Sequence, residues 1–218
     1  MSSPRPAPPP LPTREAIAAL PLFEGLGLPQ VVLVRSAAIA EQAMAELLAA
    51  GAAGFDTESR PTFRKDEVNT GPHVVQFATA TTAWLFQLHA ADCLPVVAEL
   101  IASPALHKIG FGLSGDRALL RSRLGVEPQA LFDLDHAFRR LGHRQSVGVK
   151  TAVALVFGQR FVKSRKATTS NWANPRLTDA QMRYAANDAY AAWRVHEALR
   201  QVPHGDADHR DAFAFRKP

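Results

Sequence analysis

The sequence predicts an α/β domain built on a mixed central sheet flanked by helices. Two neighbouring segments, His73–Thr79 and Ala83–Leu88, alternate apolar and polar residues with a turn-length gap between them, as an antiparallel strand pair does. From Lys108 onward, short apolar strands feed helices. The chain has 218 residues, 47% of them apolar, which suits one domain with a sizeable core, and it lacks the run of about 18 apolar residues that a membrane span needs. Paired strands first and strand-helix alternation afterwards is the order of a mixed sheet.

The N-terminal stretch Met1–Pro12 is rich in proline and lacks the apolar core of a signal peptide, so residues 1–20 read as a flexible tail. Val31–Arg35 and Ala53–Thr57 read as strands on either side of an alanine-rich helix, Ala38–Ala50. Beyond the antiparallel pair, Asp92–Ala102 reads as a helix with Pro95 in its first turn, where a missing N–H is harmless. Lys108–Phe111 is a strand running into the helix Arg117–Leu124, which Gly125 stops. A short strand, Leu131–Asp133, precedes a helix over Leu134–Leu141 that Asp133 and Asp135 are expected to cap. Ser146 is expected to cap the next helix, which stops at Gly158. Thr178 and Gln181 form a capping box that opens a long helix. Residues 21–200 therefore read as one domain. The stretch 201–218 is polar with late aromatics, Phe213 and Phe215, and reads as a second flexible tail.

Four acidic residues and a tyrosine stand out within that frame: Gly-Phe-Asp56-Thr-Glu58, Lys108-Ile-Gly-Phe-Gly-Leu-Ser-Gly-Asp116, and Tyr184-Ala-Ala-Asn-Asp188. Each signature is weak alone. Asp56 and Glu58 lie two apart on a strand, so both carboxylates leave one face of the sheet. Asp116 stands where a strand passes into a helix. Tyr184 and Asp188 are four apart in a helical pattern and share one face. Four carboxylates within a few Å repel one another, each close pair by roughly 4 kcal/mol at an effective dielectric of 20. Divalent cations remove that penalty, and an all-oxygen ligand set without clustered His or Cys selects Mg²⁺ or Mn²⁺ over zinc. Two such ions about 3.5–4 Å apart clamp the attacking and leaving oxygens of an in-line phosphoryl displacement. Tyr184, one turn from a ligand, is placed to orient or help deprotonate the attacking water.

These motifs resemble the DEDDy 3′-5′ exonucleases, most closely the branch formed by the Werner syndrome helicase exonuclease domain and its stand-alone plant and bacterial relatives. The resemblance runs from about Val31 to Leu199. It takes in Val74-Val-Gln-Phe77, Ala83-Trp-Leu-Phe86, Ser170-Asn-Trp172 and Leu177-Thr-Asp-Ala-Gln181 besides the acids. It implies a ribonuclease H-like fold, with Asp56, Glu58, Asp116 and Asp188 as metal ligands and Tyr184 as the water-positioning residue. It further implies release of 5′-nucleoside monophosphates from a 3′ end, with DNA favoured, and a helicase, fused or separate, as a partner. The histidine subclass of this superfamily wants His five residues before the last Asp, where this chain has Arg183. Ribonuclease D-like RNA trimming is the alternative within the class. Such enzymes usually carry helical RNA-binding domains after the catalytic one, whereas here only Gln201–Pro218 follows. A module that kept the fold and lost the chemistry is disfavoured by five intact positions.

The Gly110-Phe-Gly112-Leu-Ser-Gly115 run also matches a dinucleotide-binding fingerprint, with Asp133 about 20 residues on as the ribose partner. Asp116 argues against that reading, because a carboxylate where the pyrophosphate must meet the helix N-terminus repels it. Charge fits nucleic acid instead. Lys plus Arg number 25 against 20 Asp plus Glu, and with four acids reserved for metal the remaining surface is more basic than the net +5. Two basic runs flank the motifs: Arg60, Arg64 and Lys65, and then Lys163, Arg165 and Lys166. The second run is expected to touch substrate, as are Lys108, which shares a motif with Asp116, and Trp172, an aromatic able to stack a base. The single cysteine, Cys93, precludes an internal disulfide and reads as a small buried apolar residue. A cytoplasmic location and no membrane partner are the expectations that follow.

Overall fold

The computed structural model describes residues 8–62, 67–68 and 70–201; Arg64, Lys65, Phe213 and Phe215 lie outside the described residues. In chain order the elements are α1 (Arg14–Ala18), β1 (Val31–Val34), α2 (Ala37–Ala50), β2 (Ala52–Glu58), β3 (Val74–Ala78), β4 (Ala83–Gln87), α3 (Leu94–Ala102), β5 (His107–Gly110), α4 (Ser114–Leu124), β6 (Leu131–Asp133), α5 (Leu134–Arg140), α6 (Val149–Phe157), α7 (Arg165–Thr168) and α8 (Asp179–Gln201). The six strands form one sheet in the order β1-β4-β3-β2-β5-β6. β3 pairs antiparallel with both β2 and β4, while β1 joins β4, β5 joins β2 and β6 joins β5 in parallel.

Helices cover both faces of this mixed sheet, so β3 and β4, near its middle, are buried at every position. Strand alternation divides the core. Phe55, Val75, Phe77, Trp84 and Phe86 meet α2, α3 and α4 on one face. Val74, Ala78, Ala83 and Leu85 meet α8 on the other, where Ile109 also joins α5, α6 and α8. Phe77 lies 5.3 Å from Phe55 and 5.9 Å from Phe86 between ring centres; its loss to alanine would cost about 3–5 kcal/mol. Cys93 is buried in the same cluster.

Most boundaries fall within a residue or two of expectation, and α4 and α6 end at Gly125 and Gly158 as anticipated. Two short helices, α1 and α7, carry no signal in the sequence, since five and four residues are too few to show a 3.6-residue period. Side chains of Thr13 and Ser164 cap them. Ser146 does not cap α6: Gly148 holds that position, and the Ser146 hydroxyl donates to Asp135 instead, at 2.9 Å. The capping box of α8 is formed, with Gln181 N donating to Thr178 Oγ1 at 3.2 Å and Thr178 N to Gln181 Oε1 at 3.0 Å. Among the described residues, no helix is long and apolar enough to cross a membrane.

One close approach sets the position of α8. A Cβ on Gly54 would run into the carbonyl of Ala189, so only a residue without a side chain lets the helix main chain rest against β2.

Candidate active site

Asp56 and Glu58 leave β2 on the face opposite Phe55, toward α8, which presents Asp188 to them. One carboxylate oxygen from each of Asp56, Glu58 and Asp188 lies within 4.8 Å of the others. Burial, then the charge of Asp188, raises the Asp56 carboxyl well above its ordinary range. Burial, then Asp56, pushes Glu58 up to about 9. Asp188 is raised by burial as well, with Lys163 pulling the other way. The Lys163 ammonium lies 2.6 Å from Asp188 Oδ2. Burial works against its charge, yet Asp188 and Asp56 hold it above the ordinary lysine range. Three carboxylates, Asp188 buried and Asp56 and Glu58 half-buried, thus face one ammonium, an all-oxygen nest whose chemistry fits a hard divalent cation.

Asp116 differs from expectation. It lies in the first turn of α4, outside the trio, and its Oδ1 accepts a short hydrogen bond from Thr57 Oγ1. Its charge is still among those that raise Asp56 and Glu58. Thr57, which also donates its N–H to Asp56 Oδ1 at 2.8 Å, therefore joins the two acid-bearing elements. Asp133 fixes the turn before α4, accepting from Gly112 N at 3.1 Å and Leu113 N at 2.9 Å, besides capping α5 through Asp135 N at 3.0 Å. Asp135 in turn accepts from Val147 N at 2.8 Å, just ahead of α6. Adjacent to the trio, Phe111, the α6 residues Val149 and Lys150, Lys163 and Asp188 line a cavity of about 310 Å³. The two aspartates of the β6–α5 junction thus tether the segments on both sides of that cavity. Of the glycine run only Gly110 packs closely, since a Cβ there would crowd Phe55 O and Leu113, whereas Gly112 and Gly115 have open space beside them.

Tyr184 stands one turn before Asp188 on α8. Its hydroxyl accepts from Thr168 Oγ1 at 3.0 Å, and burial, then Asp188, pushes the phenol up to about 12. Lys163 Nζ is 5.8 Å from its ring centre. Trp172 is 1% exposed and packs on Tyr184 with ring centres 5.9 Å apart, so its ring supports Tyr184 and is closed to a base. Ser170 of the same motif accepts from Gln181 Nε2 at 3.0 Å, tying it to the first turns of α8.

Lys108 is corrected more sharply. Register pairs it with Ala53, so its side chain leaves the sheet face opposite the acids. It is fully buried, and Nζ donates to Leu100 O and Ile101 O at 3.2 Å and to Ser103 O at 2.8 Å, closing the C-terminal end of α3. Arg165 and Lys166 lie exposed on α7, and no ion pair holds them among the described residues.

A family model described as 3′-5′ exonuclease matches residues 31–202. A 3′-5′ exonuclease of Arabidopsis thaliana is 28% identical over 152 residues, 69% of this chain and 53% of its own. The mouse bifunctional 3′-5′ exonuclease/ATP-dependent helicase WRN is 26% identical over 166 residues, 75% of this chain and 12% of its own. A ribonuclease D of Granulibacter bethesdensis is 31% identical over 141 residues, 57% of this chain and 35% of its own. The chain spans about half the length of the plant relative and less of the other two. Among solved structures, Trypanosoma brucei RNase D superposes with a TM-score of 0.72 at 19% identity, covering 84% of this chain and 69% of that one. The fold is ribonuclease H-like.

Proposed function

The chain belongs to the 3′-5′ exonuclease family, and from that premise we propose that it hydrolyses nucleic acid from the 3′ end, releasing 5′-nucleoside monophosphates. The observation that carries the proposal is the convergence of Asp56, Glu58 and Asp188 within 4.8 Å, with Tyr184 one helical turn away. Asp56, Glu58 and Asp188 would hold one divalent cation, and Asp116 beside them completes the acid set that two would need. Bound Mg²⁺ or Mn²⁺ supplies positive charge to the phosphoryl oxygens and acidifies the water that attacks phosphorus. Tyr184, pushed up to about 12, stays protonated at neutral pH, so its role is to orient that water by hydrogen bonding rather than to remove a proton as phenolate. Thr168 fixes the phenol for that task. Hydrolysis breaks the bond from phosphorus to the 3′ oxygen, which leaves as a hydroxyl on the shortened strand.

Relatives named as ribonuclease D support RNA as the substrate, while the names of the plant and mouse relatives, a 3′-5′ exonuclease and an exonuclease/helicase, specify neither polynucleotide. The test is a 5′-labelled oligonucleotide offered as single-stranded DNA, recessed duplex and RNA of one sequence, with Mg²⁺, Mn²⁺ or chelator, resolved to single nucleotides. A ladder shortening from the 3′ end with added metal, lost in Asp56→Asn, is expected. Full turnover in excess chelator by protein freed of ions would overturn the metal-dependent reading.

A further inference from the structure

Gln76 lies fully buried in the middle of β3, and among the described residues neither its Nε2 nor its Oε1 has a hydrogen-bond partner. The other two buried glutamines are both held. Gln87 Nε2 donates to Asn174 O at 2.9 Å, and Gln181 Nε2 donates to Ser170 Oγ at 3.0 Å. A buried amide with nothing to bond costs free energy that an apolar residue of the same shape would not, so an orphan at this depth calls for an explanation.

Its position supplies one. The β2–β3 register sets Gln76 directly opposite Asp56, on the sheet face where Val74 and Ala78 meet α8. Opposed residues of an antiparallel pair hold their Cβ atoms about 4.5–5.5 Å apart, and diagonal neighbours such as Glu58 stand further off. Around the amide the remaining surface is apolar: Leu85 faces it from β4, and α8 lays Ala185, Ala186 and Ala189 over the same face. Asp56 is therefore the polar side chain that Gln76 can address. Asp56 Oδ1 takes one donor, Thr57 N, at 2.8 Å. A carboxylate offers about four lone-pair sites, which leaves room for both a cation and a second donor.

We propose that Gln76 is a positioning residue for the metal centre: with a cation bound to the acids, its amide turns about its last side-chain bond and Nε2 donates to the Asp56 carboxylate, holding that ligand in place. The inference rests on the divalent-metal reading of the site and adds to it a residue that touches neither metal nor substrate. Hydrogen-bond donors behind a ligating group orient it, and their loss typically costs about 10–100-fold in metal affinity. Only side-chain torsion is needed, so β2 and β3 keep their register while the amide gains its partner.

The test exploits opposite signs. Gln76→Met keeps the length of the side chain and removes both polar atoms. Calorimetric titration with Mn²⁺ in the absence of nucleic acid, and thermal midpoints in excess chelator, are measured for wild type and variant. The dissociation constant for Mn²⁺ is expected to rise about 10–100-fold, while the midpoint in chelator stays level or rises, since no hydrogen bond is lost. Cleavage by the variant is expected to recover as Mn²⁺ is raised, with KM for the oligonucleotide unchanged. Equal Mn²⁺ affinity in the two proteins would overturn the proposal and leave the metal reading intact. A midpoint in chelator several degrees below wild type, or failure of the variant to fold, would also overturn it, because the amide would then be bonded without metal. Wild type that binds no Mn²⁺ would bring down the metal reading itself, and the role of Gln76 with it.

Discussion

The ammonium of Lys163 occupies the position against Asp188 that a metal ion would also seek, 2.6 Å from Oδ2 of a carboxylate whose side chain is 3% exposed. Lys163→Gln should lower the thermal midpoint of the metal-free protein, because removing one side of a buried pair strands the other; such losses run to about 3 kcal/mol or more, eased here by protonation of Asp188. Each kcal/mol is worth about 2–4 °C in a protein of this size. The upward shift on adding Mg²⁺ should then be larger in the variant than in wild type. Thermal melts of both proteins with and without Mg²⁺ check this, and equal shifts would mean that lysine and metal do not compete.

The raised carboxyls give a pH dependence of definite sign. Glu58 is pushed up to about 9 by burial and Asp56, from 4.5 in an open chain. Between those values the folded protein holds a proton that the unfolded chain has released, so metal-free stability falls as pH rises through the window. Asp56 and Asp188 shift in the same direction. Midpoints recorded in chelator from about pH 5 to 9 should decline more steeply for wild type than for Glu58→Gln. Saturating Mg²⁺, which binds the deprotonated acids, should flatten the wild-type profile. A wild-type decline no steeper than that of Glu58→Gln would remove the proton from the cluster.

Tyr184→Phe deletes one oxygen and leaves the carboxylates in place. Single-turnover cleavage should slow by roughly 10²–10⁴, with substrate affinity retained. Thr168→Val, which removes the donor to that oxygen, should cost less, about fivefold for one hydrogen bond worth about 1 kcal/mol. Wild-type single-turnover rates in Tyr184→Phe would make the tyrosine a packing residue.

Lys108 offers the opposite kind of test, stability without chemistry. Three carbonyls at the end of α3 accept from its ammonium, and burial pushes its pKa down to about 7. Lys108→Met keeps the stem but leaves these acceptors unsatisfied, at about 1–3 kcal/mol for each buried group. The midpoint should drop by several degrees while KM for oligonucleotides stays put. A KM change at unchanged stability would return Lys108 to the substrate.

The parts of the site that can be read in the sequence are those whose geometry is local. Asp56 and Glu58 share a face because a strand repeats every two residues, and Tyr184 meets Asp188 because a helix repeats every 3.6. Lys108 defeats such reasoning. The face it takes depends on pairing with Ala53, and nothing near it in the chain encodes that register. The double task of Asp133 is similarly hidden, since the N–H groups of Gly112 and Leu113 that it binds lie about 20 positions away and leave no residue pattern behind. Lys163 is legible as a basic residue beside a motif, but its ion pair with Asp188 forms only once α8 crosses the sheet. Trp172 misleads because an aromatic ring has the same signature whether it faces a base or supports a tyrosine.

The abutment of Gly54 and Ala189 has a mechanical consequence. Asp56 lies two residues beyond the glycine and Asp188 one before the alanine, so the gap between these carboxylates is gauged by two main chains that touch. Side-chain packing can relax by switching rotamers, whereas abutting backbones have no such freedom. The spacing of the acids is thereby machined into the scaffold before any ion or strand arrives, and the atom that sets the tolerance is the one that residue 54 does not have.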